Sequence, residues 1–154
     1  MGEDPGVHSK LVAVAVDCLD AERCAAFWCA ALGVEVLGRW RDAHEVQYVE
    51  IGTADAPMLV FQPVPEGKAG KNRLHLDIAP ATGSQDDEVE RLVRLGAMRV
   101  ADEAEHPWVV LADPEGNEFC VLPPRYLGAG SQVVTRVEGI GECRNTCRVE
   151  GTPG

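Results

Sequence analysis

Arg73, His75 and Asp77 alternate with Leu74, Leu76 and Ile78 along one short stretch. In an extended strand, side chains two apart share a face. The apolar set must face its helix, so Arg73, His75 and Asp77 face a cleft. A carboxylate beside a histidine orients the ring and favours its charged form. That pairing suits a general base, and His75 and Asp77 are the candidate catalytic pair. It suits a purely structural hydrogen bond as well, since ion pairs without catalytic duty perturb protonation just as readily. Glu118 and Cys120 form a second alternating pair after the turn at 113–117. Glu118 adds a carboxylate to the cleft or sits at its rim. Cys120 is a weaker candidate nucleophile, because no activating base stands beside it in sequence and buried thiols are mostly inert.

Trp40, Tyr48, Phe61 and Trp108 fall on predicted strands. The chain has only three Trp, three Phe and two Tyr. Aromatic side chains in a cleft stack on flat ligands. Sheet core or a dimer contact is the competing reading, because aromatic residues favour strands anyway. Trp28 is different, since helical spacing places it in the core. His44 and His106 each open a predicted strand and read first as surface residues.

The elements that position these residues come in two sets. Lys10 to Cys18 reads as a strand. Asp20 caps a helix over Ala21–Leu32 with Cys24, Phe27, Trp28, Ala31 and Leu32 as its stripe, and Gly33 stops it. Strands are predicted near 34–40, 44–51 and 57–63, followed by a polar linker over 65–72. A second strand–helix unit follows. Arg73 to Ala79 is a strand, and Ser84 with Asp87 forms a capping box. The helix runs to Leu95, with Val89, Leu92, Val93 and Leu95 apolar, and Gly96 ends it. Strands near 97–101, 107–112 and 117–122 complete the second set, with Asp113-Pro114-Glu115-Gly116-Asn117 as a tight turn. The order βαβββ thus occurs twice, in modules at 10–65 and 72–124. Ala31-Leu32-Gly33 and Arg94-Leu95-Gly96 match at an offset of 63, and His44 and His106 at an offset of 62. A repeated unit with one exposed apolar face needs a partner, so the halves share one core. The predicted fold class is α+β, with two antiparallel sheets around a cleft and helices outside. Residues 1–9 read as a disordered lead. Residues 125–154 read as a mobile tail with one short strand at 132–137.

The chain of 154 residues carries 14 Lys and Arg against 25 Asp and Glu, a net charge of −11. Nucleic acid and anionic membranes are held by clustered Lys and Arg, so both are excluded as partners held by charge. No run approaches the ~20 apolar residues of a membrane span. No basic leader precedes the first apolar run, so the cytoplasm is the expected location. Cysteines there are normally reduced. Cys18, Cys24 and Cys29 read as small core residues, and Cys143 with Cys147 as a weak metal or redox signal. No phosphate loop, zinc-finger spacing or dinucleotide fingerprint occurs.

Several strings resemble the vicinal oxygen chelate superfamily, and most resemble its glyoxalase-like proteins of actinobacterial type. They are Val16-Asp17-Cys18-Leu19-Asp20-Ala21-Glu22-Arg23 with Phe27-Trp28 and Leu32-Gly33, then Arg73-Leu74-His75-Leu76-Asp77. The most specific is Leu111-Ala112-Asp113-Pro114-Glu115-Gly116-Asn117-Glu118-Phe119-Cys120. The resemblance covers residues 10–124 and implies the glyoxalase/bleomycin resistance fold and a homodimer. It also implies a divalent ion (Zn, Ni, Mn or Fe) in the metal-using members, held by ligands from the first and last strands of each module. Here those positions fall at Ala13, at Phe61 or Gln62, at His75 and at Cys120. Alanine ligates nothing, and a thiolate replaces the usual hard oxygen donor. His75, Cys120 and Gln62 form a degenerate ligand set, and a pocket without a resident metal is the expectation.

The expected function is a glyoxalase-like protein binding a small organic molecule, such as an aromatic or antibiotic-like compound. Trp40, Tyr48, Phe61, Gln62, Arg73, Trp108 and Glu118 are its candidate contacts. Two alternatives stand beside it. One is an enzyme of the superfamily, either a divalent-metal lyase or dioxygenase or a metal-free isomerase using His75 and Asp77. The other is an interaction module whose cleft is filled by its own side chains.

Overall fold

The structure is a computed structural model that describes residues 9–54, 56–100 and 106–124, the side chains of 56 and 57 excepted. The tail, its expected strand at 132–137, Cys143 and Cys147 lie outside the described residues. Ten elements follow in order: β1 (Val14–Cys18), α1 (Ala21–Leu32), β2 (Glu35–Arg41), β3 (Gln47–Thr53), β4 (Ala56–Pro63), β5 (Asp77–Ile78), α2 (Gln85–Leu95), β6 (Met98–Arg99), β7 (Val109–Ala112) and β8 (Glu118–Val121). The βαβββ order is therefore present twice.

Both helices start and stop where local chemistry dictates. The Asp20 carboxylate accepts the Arg23 N–H at the start of α1, and Ser84 accepts the Asp87 N–H at the start of α2. Gly33 and Gly96 end the helices at φ 67° and 115°, a conformation that side chains resist. The stripe of α1 is buried at Cys24, Phe27, Trp28 and Ala31. On α2 only Val89 and Leu92 are buried, while Val93 and Leu95 lie partly in solvent.

The two sheets have strand orders β1-β4-β3-β2 and β5-β8-β7-β6. They are mixed rather than wholly antiparallel, because β1 runs parallel to β4 and β5 parallel to β8. Parity explains this. The helix crossover returns β2 in the direction of β1, and two hairpin reversals then leave β4 in that direction too. Strand β5 is shorter than the 73–79 expected. Pairing still reaches back a residue, since the Cys120 N–H bonds the Leu76 carbonyl at 2.8 Å. Arg73 and Leu74 are exposed ahead of that point. His44 does not open a strand. It lies in a turn where the Asp42 carboxylate accepts the N–H groups of His44 and Val46.

One core joins the halves. Val49, Ile51, Leu59 and Phe61 are buried under α1, and Leu111, Phe119 and Val121 join the same cluster with Val89 and Leu92. Trp28 of α1 meets Phe119 of β8 edge-on at 5.0 Å, so the first helix packs on the second sheet. Asp113 is fully buried at this junction. One of its oxygens accepts the Trp28 indole N–H at 3.1 Å. The other accepts the N–H groups of Glu115 and Asn117, both at 2.9 Å. Glu115 then accepts the N–H groups of Leu19 and Asp20 across the seam.

Removing a buried acceptor orphans its donors, which costs more than the bonds themselves contribute. Asp113→Ala is expected to destabilise the protein by about 3 kcal/mol or more. Trp28→Phe keeps the ring packing and loses one bond, for about 1–2 kcal/mol. Urea denaturation followed by circular dichroism measures both, and the two losses should not add in the double variant.

Candidate functional site

The second sheet builds the site because its strands alternate. On β8, Phe119 and Val121 point into the core, which leaves Glu118 and Cys120 on the opposite face. On β7, Leu111 is core and Val110 pairs with Cys120. Across the parallel pair, Asp77 is the register partner of Cys120. His75 precedes Asp77 by two residues and shares its side. The His75 Nδ1 lies 3.0 Å from an Asp77 oxygen and 3.7 Å from the Cys120 Sγ. The donor atoms of all three residues lie within 4.8 Å of one another.

These residues line a cavity of about 520 Å³ together with Glu118, His106, Trp108, Val110, Val100, Lys71 and Asn72. Its aromatic wall is the His106–Trp108 pair, stacked at 4.4 Å and 7°. Such a volume suits a small organic ligand. A smaller cavity of about 220 Å³ opens at the seam between the modules. Arg73 lines that one, with Ala15 and Val16 of β1, and His75 and Glu118 border both cavities.

The chemistry of the cluster follows from which atoms meet. A nucleophile–histidine–carboxylate relay uses the two ring nitrogens, one for each partner. Here Asp77 and Cys120 approach the same nitrogen, Nδ1. The arrangement therefore does not relay a proton from the thiol through the ring to the carboxylate. The His75 and Asp77 side chains are each about half exposed, so their pairing adds little to stability.

Glu118 has a different task. Its carboxylate accepts the Lys68 ammonium at 2.8 Å and the Asn72 backbone N–H at 3.1 Å, fastening the linker beside the cavity. Burial alone would raise its pKa. The hydrogen bonds from Lys68 and the Asn72 backbone, with the Lys68 charge, outweigh burial and hold it below the usual carboxylate range.

The remaining sequence candidates separate from this cluster. Phe61 has no exposed surface and is a core residue on the helix side of β4. Gln62 is half-buried on β4, where it pairs with Asp17, and it does not line the 520 Å³ cavity. Trp40 and Tyr48 stack on each other at 4.0 Å and 4° on the first sheet, and Tyr48 donates to Asp42. Trp108 and Glu118 do reach the site. His106 also reaches it, although its sequence position reads as surface. The available signal was its spacing of two from Trp108, although residues 106–108 form a bend ahead of β7 rather than the strand expected from 107.

Residues 13–122 match the family model of the glyoxalase-like domain. The chain belongs to the glyoxalase-like domain family. Its fold is that of the vicinal oxygen chelate superfamily. No curated protein matches it in sequence. Among solved structures, it is similar to the trypanothione-dependent glyoxalase I of Leishmania major, with 15% identity, a TM-score of 0.55, and coverage of 75% of this chain and 86% of that one. A fosfomycin resistance protein, FosX, of Listeria monocytogenes is also similar; that structure holds Mn(II) and dihydroxypropylphosphonic acid. The figures are 14% identity, a TM-score of 0.59, and coverage of 75% and 92%. A glyoxalase/bleomycin resistance protein/dioxygenase family enzyme of Burkholderia phytofirmans gives 19%, 0.53, and 73% and 97%. At these identities the likeness carries the fold. Among the described residues, no helix is long and apolar enough to cross a membrane.

The lowered Glu118 pKa makes the linker clasp sensitive to acid. A carboxylate with a depressed folded pKa stabilises above its unfolded value, and that contribution is lost as pH falls through the folded value. Hydrogen exchange at 66–72, corrected for intrinsic rates, is expected to accelerate only below the ordinary carboxylate range. In Glu118→Gln it should already be fast at neutral pH.

Proposed function

We propose that this glyoxalase-like protein binds a small planar organic molecule in the cavity of its second module. The ligand lies against the Trp108–His106 wall, with His75, Asp77 and Cys120 supplying polar contacts opposite. The observation that carries this reading is the cavity of about 520 Å³ with an aromatic pair among its lining residues and three convergent polar side chains. Ligand sites of this kind are mostly apolar with a few placed polar groups. An antibiotic or other secondary metabolite with a flat ring is the preferred ligand class. The stacked His106–Trp108 pair supports the flat ring in that class. The first sheet takes a supporting part, because its aromatic pair, Trp40 and Tyr48, does not line this cavity. The chain works as a homodimer in this reading, which sedimentation would test.

Thermal shift and tryptophan fluorescence against a panel of planar aromatic compounds test the binding. At least one compound is expected to raise Tm and quench the emission. Trp108→Ala is expected to weaken it about tenfold, the loss of one good aromatic stack. Trp40→Ala should leave affinity unchanged. Loss on Trp40→Ala with retention on Trp108→Ala would move the site to the first sheet.

A further inference from the structure

We propose that Cys18 and Cys24 form a reversible dithiol–disulfide pair in the first module, oxidised by a small hydroperoxide that enters beside Cys18. Cys18 is the last residue of β1, and Cys24 lies in the first turn of α1. Sequence position makes both of them small core residues, and buried thiols are mostly inert. Contact, access and protonation set this pair apart from ordinary core filling.

The two thiols are hydrogen-bonded to each other across the turn between strand and helix. Cys18 donates in turn to the Gln62 carbonyl at 3.6 Å, which leaves its sulfur lone pairs to Cys24. Access is unequal. Cys24 has 0% exposure and Cys18 has 4%. Cys18 also lines a cavity of about 200 Å³, and Cys24 does not. The exposed linker residues Glu66, Gly67 and Lys68 line the same cavity, so Cys18 is reached from the linker side. Hydrogen peroxide is little larger than water, which occupies ~30 Å³, and fits there. Protonation is unequal as well. The hydrogen bond from Cys24 holds the Cys18 pKa below the ordinary thiol value, against burial and the carboxylates of Glu115, Asp20 and Asp113. The same bond, burial and the Asp113 charge push the Cys24 thiol up. Cys18 is therefore the thiol that ionises and attacks, and Cys24 is the one that keeps its proton.

The chemistry balances in two steps. The Cys18 thiolate attacks one peroxide oxygen. An S–O bond forms, the O–O bond breaks, and hydroxide leaves and takes up the thiol's proton as water. The sulfur, oxidised by two electrons, is now a sulfenic acid, and the peroxide has been reduced. The Cys24 sulfur then attacks the Cys18 sulfur. The S–S bond forms, the S–O bond breaks, and the hydroxyl leaves with the Cys24 proton as a second water. Two thiols and one peroxide thus give one disulfide and two waters. The second step needs no encounter, because the resolving thiol already touches its target. An external dithiol restores the pair by exchange at Cys18.

The full-length chain, reduced and freed of reductant, is treated with hydrogen peroxide, quenched in acid, alkylated and digested with trypsin. Arg23 separates the two cysteines, so the disulfide joins peptide 11–23 to peptide 24–39. That linked pair is expected in the mass spectrum and should vanish with dithiothreitol. Cys29 shares the second peptide, and Cys29→Ser should keep the link. Cys24→Ser should strand Cys18 as the sulfenic acid, trapped as a dimedone adduct on peptide 11–23. Circular dichroism confirms that each variant is folded. A native chain without the link overturns the pair, and this result needs no variant. Loss of the link in folded Cys29→Ser also overturns it, and absence of the adduct in folded Cys24→Ser overturns the order of attack. Neither cysteine lines the cavity of about 520 Å³, so these outcomes are independent of the aromatic panel.

Discussion

Asp113 lies in the turn between β7 and β8 with no surface exposed to water, and four donors converge on its two oxygens, the Asn117 side-chain amide at 3.5 Å among them. A buried carboxylate is tolerated only when its acceptor capacity is used, and here every bond also fixes geometry. The two bonds from Glu115 and Asn117 hold the turn that starts β8. The bond from the Trp28 indole ties that turn to α1 of the other module. The ring then rests against Phe119, the residue that fixes which face of β8 is core. Alternation does the rest: with Phe119 and Val121 turned inward, Glu118 and Cys120 must face the cavity. The first helix therefore sets the orientation of the strand carrying the site.

The two modules share a topology and divide the labour. In the first, the open face of the sheet is occupied by its own contacts, Trp40 on Tyr48 and Tyr48 on Asp42. In the second, the aromatic pair lines a cavity together with the polar side chains of His75, Asp77 and Cys120. A duplicated fold constrains the helix-facing residues equally in both copies, since both must fill a core. It leaves the open faces to differ, and chemistry can concentrate on one of them.

What was legible in the sequence was local or periodic. Caps at Asp20 and Ser84, stops at Gly33 and Gly96 and the repeated βαβββ order depend on residues within a few positions of each other. The shared face of His75 and Asp77 depends only on alternation. What depended on pairing across strands was not legible. Phe61 and Gln62 are neighbours with opposite fates, and only the register of β4 against β1 and β3 assigns Phe61 to the core. The meeting of Asp77 with Cys120 is likewise a register fact, since 43 residues separate them in sequence and one rung of a parallel pair joins them. His44 and His106 hold matching positions in the repeat. The first is absorbed into a turn by Asp42, whereas the second stacks on Trp108 and reaches the cavity.

The acidity of the chain gains a narrower meaning from this arrangement. The tail carries four Arg and three Glu, so residues 1–124 hold a net −12 and the excess belongs to the part with the two modules. A field of that sign repels polyanions and raises the local concentration of cations. It cannot by itself choose among cations, because an exposed carboxylate attracts magnesium and zinc alike and salt screens both. Choice requires donors whose softness differs from water's oxygen and whose positions are fixed before the ion arrives. Of the carboxylates near the cavity, Glu118 is committed to Lys68 and the linker, which leaves Asp77 beside a thiol and an imidazole. Cys120 is also the residue whose orientation the Asp113 junction sets from the turn that precedes its strand.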